Sequence, residues 1–144
     1  MAEIGALFDA LTDGLNTQDD ERVVRCFSPQ AVYVTPGGVT EGHEQIRWYF
    51  LQLFTAFPDM HNENTSRAVM GDTVAAEWVI NGTHAGPLLL PSGMEIMGTG
   101  RLVVFRGASA YTMDNGLFAS GRVYYDQLSL YRQTGYDLRL RRTA

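Results

Sequence analysis

The chain contains no lysine: all eleven basic residues among its 144 are arginine. We read this as a coding bias and not as a functional signal. Cysteine is almost absent. A single one, Cys26, excludes an internal disulfide and a cysteine-built metal site. It stands in the apolar stretch "RVVRCFS", where a free thiol acts as a small core hydrophobe and not as a nucleophile. No run approaches the roughly 18 consecutive apolar residues that a membrane span requires. The N-terminus shows no basic segment followed by an apolar one, so no secretory signal is read there. A soluble, cytoplasmic protein is the expectation. Positive charge is in deficit, and a net charge of −5 argues against nucleic-acid binding through phosphate neutralisation. The chain's histidines, His43, His61 and His84, are widely separated and form no ligand-like pair. No metal or cofactor is expected.

What is present suits a globular fold. Hydrophobic residues make up 45% and charged residues 19%, which argues against disorder. The length fits one domain over 1–144, with a core at about 3–135 and a loose tail over 136–144. Ile4, Leu7, Phe8, Leu11 and Leu15 recur at helical spacing. "TQDDERVVRCFS" starts a second helix, which Pro29 ends. "AVYVT" reads as a short strand closed by "PGG". "EGHEQIRWYFLQLFTAFPD" is the strongest helix, its apolar face built from Ile46, Tyr49, Phe50, Leu53 and Phe57, and Pro58 terminates it. Strands follow: "HNENTSRAVM" and "TVAAEWVING" joined at "GD", then "RLVVFRGASAYTM" and "LFASGRVYYD" joined at "DNG". Helices first and antiparallel strands last predict an α+β fold. Its helices would pack on a curved mixed or antiparallel sheet, leaving a conical internal cavity.

Three blocks carry a family resemblance. "EGHEQIRWYFLQLFTAFPD" resembles the G-x-E-x-I-R…FPD block of SnoaL-like polyketide cyclases. "GDTVAAEWVINGTHAGPL" is similar to their GD-x-V…W…G-T-H-x-G block, and the segment from Gly98 to Gly135 to their closing block. The match runs from Thr40 to Gly135. The resemblance implies the cone fold of the nuclear transport factor 2-like superfamily. It also implies a hydrophobic, polycyclic aromatic small molecule as partner, with a place in secondary metabolism such as antibiotic biosynthesis. Members include intramolecular aldol cyclases, cofactor-independent hydroxylases and proteins without assigned chemistry, so the site must carry the function.

In family cyclases an aspartate matching Asp126 points into the cone as acid and base. Strand alternation over "ASGRVYYD" puts Arg122, Tyr124 and Asp126 on one face. In an apolar cavity a carboxyl at Asp126 would have its pKa raised toward neutrality. The plainer alternative makes Asp126 a helix cap or the partner of an arginine. The position two before the acid is often histidine in those cyclases. Here it is Tyr124, which can donate to an enolate oxygen but shuttles protons poorly near pH 7.

The motif match places His84 in the pocket, whereas His43 and His61 are expected at the surface. Asp59, after Pro58, reads as a turn residue. Tyr33, Trp48, Phe54, Trp78, Met94, Met97, Tyr111 and Arg122 are candidates for ligand contact. The loop "GPLLLPSGMEIMGTG" would form a lid.

Three functions stay open on these residues. They are aldol closure by an Asp acid/base, a hydroxylase, isomerase or epoxide hydrolase on a similar ligand, and a non-catalytic binding or dimerisation module. Apolar residues on both faces of the late strands predict a homodimer or higher homo-oligomer.

Overall fold

The structure, a computed structural model, describes residues 2–144. Helix α1 (Ala2–Asn16) buries Ile4, Phe8 and Leu11, whose spacing puts them on one face. Helix α2 (Asp20–Val24) opens on Asp19, whose carboxylate accepts the Arg22 backbone N–H at 3.1 Å. It stops at Val24, well short of the expected end at Pro29. Pro29 lies instead inside strand β1 (Phe27–Thr35), which is longer than "AVYVT". The pairing of β1 with its parallel partner shifts register between Phe27 and Val32. A proline, having no N–H to give the ladder, is tolerated at such an irregularity. Strand β2 (Gly38–Glu41), which the sequence reading passed over, pairs back onto β1.

Helix α3 (Gly42–Ala56) buries Ile46, Phe50 and Phe54, and Pro58 follows its end as expected. Strands β3 (His61–Met70) and β4 (Thr73–Thr83) form a hairpin at Gly71–Asp72. Strands β5 (Leu88–Leu89) and β6 (Glu95–Ile96) make a separate small hairpin within the predicted lid. Strands β7 (Leu102–Asp114) and β8 (Leu117–Tyr125) turn at Asn115 and Gly116, and Asn115 has a φ of 51°. Helix α4 (Gln127–Gln133) closes the regular structure, and residues 136–144 run exposed with no regular element.

The main sheet has the order β2-β1-β8-β7-β4-β3 and does not close into a barrel. Only β1 and β8 run parallel. Helices α1 and α3 pack across its inner face. That face carries Tyr33 from β1, Trp78 and Ile80 from β4, Phe105 and Tyr111 from β7, and Val123 from β8, all buried. Helices on one side of a curved, mostly antiparallel sheet make this an α+β cone.

Candidate functional site

The inner face and the helices do not meet everywhere. Between them lies a cavity of about 230 Å³. Its floor is the sheet, with Tyr33, Trp78, Phe105, Ser109, Tyr111, Val123 and Tyr125. Phe8 and Leu11 of α1 and Tyr49 and Leu53 of α3 form the walls. Trp48, half exposed, stands at the rim, and Leu88–Pro91 of the loop that the sequence reading took for a lid line one side.

Two glycines in strand interiors make the floor possible. A Cβ at Gly107 would come within 2.4 Å of the Trp78 ring. One at Gly121 would come within 2.8 Å of the rings of both Tyr111 and Tyr33. The rings of Trp78, Tyr111 and Tyr33 therefore come close against backbone that carries no side chain. Glycine inside a strand marks close approach, so "FRGAS" and "ASGRV" held a signal that the sequence reading did not use.

The aromatic rings are mutually packed. Tyr33 stacks on Tyr111 at 6.3 Å with 15° between planes, and meets Tyr49 edge-on at 5.4 Å. The polar atoms are paired too. Trp78 Nε1–H donates to Ser109 Oγ at 2.7 Å. The Tyr111 hydroxyl neighbours those of Ser109 and Tyr33, and the Tyr49 hydroxyl neighbours those of Tyr125 and Thr35. Burial pushes the phenols of Tyr33 and Tyr49 well above their ordinary pKa, and those of Tyr111 and Tyr125 upward. All remain protonated donors at neutral pH. Among the described residues, no Asp, Glu, His, Cys or Arg lines this cavity.

That requires corrections to the sequence reading. Arg122, Tyr124 and Asp126 point away from the cavity, because the lining residues of β8 are Val123 and Tyr125. Tyr124 is 62% exposed, and Arg122 is half-buried with only a 3.4 Å contact to Ser120 Oγ. Asp126 is exposed and caps α4, accepting the Ser129 backbone N–H at 3.1 Å. A carboxylate there keeps its hydration and satisfies a helix terminus, whereas inside it would lose water without a cationic partner.

His84 is fully buried but lies outside the lining. Its Nδ1 faces Thr99 Oγ1 at 3.0 Å and its ring packs on Phe57. Burial pushes its pKa down. Met94 and Met97 are exposed and Phe54 is buried in the core; none of them lines the cavity. Tyr33, Trp48, Trp78 and Tyr111 do.

Asp59 accepts from the Thr83 backbone N–H and hydroxyl at 2.7 and 2.8 Å, and these bonds lower its pKa. His43 is half-buried with Nε2 2.7 Å from the Phe27 carbonyl, and His61 is exposed. Burial raises the Cys26 thiol to about 11, which leaves it unreactive. Among the described residues no cluster of His, Cys, Asp or Glu could hold a metal ion, and no helix is long and apolar enough to cross a membrane.

Comparison with known proteins agrees with this architecture. A family model for the SnoaL-like domain matches residues 8–121. No curated protein matches the sequence. Among solved structures, AclR from Streptomyces galilaeus, a candidate hydroxylase, is 21% identical with a TM-score of 0.81, covering 94% of this chain and 97% of its own. A candidate SnoaL-like polyketide cyclase from Jannaschia sp. CCS1 is 20% identical with a TM-score of 0.83, covering 95% and 94%. TsrD from Streptomyces laurentii is 25% identical with a TM-score of 0.80, covering 93% and 96%.

Proposed function

The chain belongs to the SnoaL-like domain family, and from that membership and its cavity we propose that it binds and cyclises a flat, hydrophobic aromatic keto compound of the polyketide type, without a cofactor. The observation that carries this reading is the charge-free lining, in which the aromatic side chains of Tyr33, Trp78, Phe105, Tyr111 and Tyr125 surround one space.

In an aldol closure, a proton leaves a carbon flanked by carbonyls. The enolate carbon then bonds to a second carbonyl carbon of the same molecule. The resulting alkoxide takes up one proton, so mass is conserved. The cavity contributes two things. It holds the reacting carbons together, which can supply at most about 7–11 kcal/mol. Its neutral phenols donate to the oxygen on which charge develops. Since no carboxylate or imidazole lines the cavity, the step is written with solvent as the proton acceptor and as the donor to the alkoxide.

The test is turnover of a conjugated aromatic keto ester followed by product mass. Closure leaves mass unchanged, hydroxylation adds oxygen and epoxide opening adds water. Leu53→Trp fills the cavity from α3; if that variant keeps full turnover, the cavity is not the site.

A second reading, binding without turnover, is favoured by one observation: no lining side chain titrates near neutral pH. It predicts tight ligand retention with no change in ligand mass. We also propose that the protein works in the cytoplasm as a homodimer or higher homo-oligomer. The outer face of the sheet supports this, since Val34, Val104 and Tyr124 are exposed there. Light scattering at micromolar concentration tests it, and a monodisperse monomer would refute it.

A further inference from the structure

Where α1 meets β3, the cavity lining turns from aromatic to neutral polar. Thr12 of α1 and Asn62 and Asn64 of β3 line that end. Residues two apart on a strand share a face. Asn62 pairs with Ile80 and Asn64 with Trp78 of β4, so both asparagines extend the inner face of the sheet. Asn16 clamps the backbone of Asn62. Its Nδ2 donates to the Asn62 carbonyl at 3.0 Å, and its Oδ1 accepts the Asn62 N–H at 2.7 Å.

The side chains of Thr12, Asn64 and Asn62 form a hydrogen-bonded chain with one direction. Thr12 Oγ1–H donates to the Phe8 carbonyl at 3.1 Å, which leaves Oγ1 as an acceptor. Asn64 turns its Nδ2 to that oxygen, at 2.9 Å. The Asn64 Oδ1 then faces Asn62 and accepts from its Nδ2 at 3.2 Å. This order sets which end of each amide points where. Asn62 Oδ1 is left at the end of the chain, and among the described residues nothing donates to it. The unpaired side-chain atoms fully sealed from solvent among the described residues are Arg47 Nε and His84 Nε2, so Asn62 Oδ1 borders open space. Asn62 is only 5% exposed, and it lines the cavity.

A carboxamide oxygen can only accept. A cationic donor would lose its hydration in a space that no carboxylate lines. An uncharged donor remains, and aldol closure ends in one, since the alkoxide oxygen becomes a hydroxyl. Building on the cavity as the binding site, we propose that Asn62 is a specificity-determining residue whose Oδ1 accepts a hydrogen bond from a hydroxyl of the ligand, at the end of the cavity between α1 and β3. Thr12 and Asn64 are positioning residues that hold Nδ2 back and leave Oδ1 free. A ligand with no donor at that end leaves the oxygen unpaired.

The experiment compares 2-naphthol with 2-fluoronaphthalene, which has the same rings and fluorine in place of the hydroxyl. Equilibrium dialysis at pH 7 gives both dissociation constants, and the long-wavelength absorption of bound naphthol shifts to the red when its O–H donates. The wild type is expected to show that shift. Asn62→Leu is expected to lower the preference for naphthol over fluoronaphthalene by about tenfold relative to wild type, and to return the band to its position in alkane. Retained binding of fluoronaphthalene shows that the variant is folded with its cavity intact. Thr12→Val frees the amides to turn and gives a smaller loss of preference. An unchanged preference and band in Asn62→Leu, or equal loss of both ligands, overturns the assignment of the acceptor. Full preference in Thr12→Val overturns the directed chain. Failure of the wild type to bind either compound overturns the cavity reading itself.

Discussion

On strand β8, Gly121, Val123 and Tyr125 face the helices, while Arg122 and Tyr124 face outward and Asp126 follows them. The inward set has no charge, and one of its members has no side chain at all, because rings from β1 and β7 occupy that space. The outward set is charged or polar and keeps its water. The inner face is shaped by packing and the outer face by solvation, and one residue of register separates them.

The largest contrast should come from truncating a tyrosine on each face. Tyr111 is 4% exposed and packs on the rings of Phe8, Phe27, Tyr33 and Phe118, whereas Tyr124 is 62% exposed. Tyr111→Ala is expected to cost about 3–5 kcal/mol. Tyr124→Ala should stay within about 0.5 kcal/mol. Urea unfolding midpoints measure both, and comparable losses would erase the distinction between the faces.

The next effect concerns added volume. Gly121→Ala pushes a methyl to within 2.8 Å of two rings, so a loss of about 1–3 kcal/mol is expected, with weaker binding of the aromatic keto ester. Ser120→Ala, one residue away on β8, should change stability by no more than about 0.5 kcal/mol. If Gly121→Ala unfolds at the wild-type midpoint, the rings do not lie on bare backbone.

Asp126 tests the outer region at its functional claim. As a cap, Asp126→Ala should cost about 0.5–2 kcal/mol, and Asp126→Asn should be close to neutral because asparagine caps equally well. Both should bind the aromatic keto ester like the wild type. Loss of turnover with binding retained in Asp126→Asn would return the carboxylate to the site as its general base.

Much of this was legible in the residues. Apolar spacing located α1 and α3, and "GD" and "DNG" marked the two hairpins. The α+β class followed from the order of elements. Alternation put Arg122 and Tyr124 on one face of β8, whereas Asp126 lies past the strand's end at Tyr125 as the cap of α4, and alternation said nothing about which face turns inward. The choice depends on which set the helices cover, and a carboxylate next to an aromatic run signals a helix cap as readily as a catalytic acid. The length of α2 and the extent of β1 were hidden because Pro29 ends helices and also sits at strand irregularities. The motif placed His84 in the pocket, but it lies buried outside the lining, with Thr99 beside its Nδ1 and Phe57 against its ring. The tyrosine network was out of reach, since its members come from β1, α3, β7 and β8 and meet only in the fold.

The smallest expected effect separates burial in the core from burial in the cavity. His84 is as buried as any cavity tyrosine, yet it lies outside the lining and its pKa is pushed down. The unfolded chain, with an ordinary histidine value of about 6.5, therefore binds more protons than the folded one as pH falls. The stability that neutral His84 contributes is present above that value and is lost as pH drops through and below it. The cavity has no side chain titrating in this range, and its tyrosines stay protonated because burial raises them. Between pH 7.5 and 5.5 the unfolding midpoint should decline, while affinity for the aromatic keto ester, measured where the protein remains folded, should hold constant. His84→Gln should flatten the decline relative to wild type and leave affinity alone. An affinity that falls with the same midpoint as stability would place a titrating group in the cavity, against the charge-free lining.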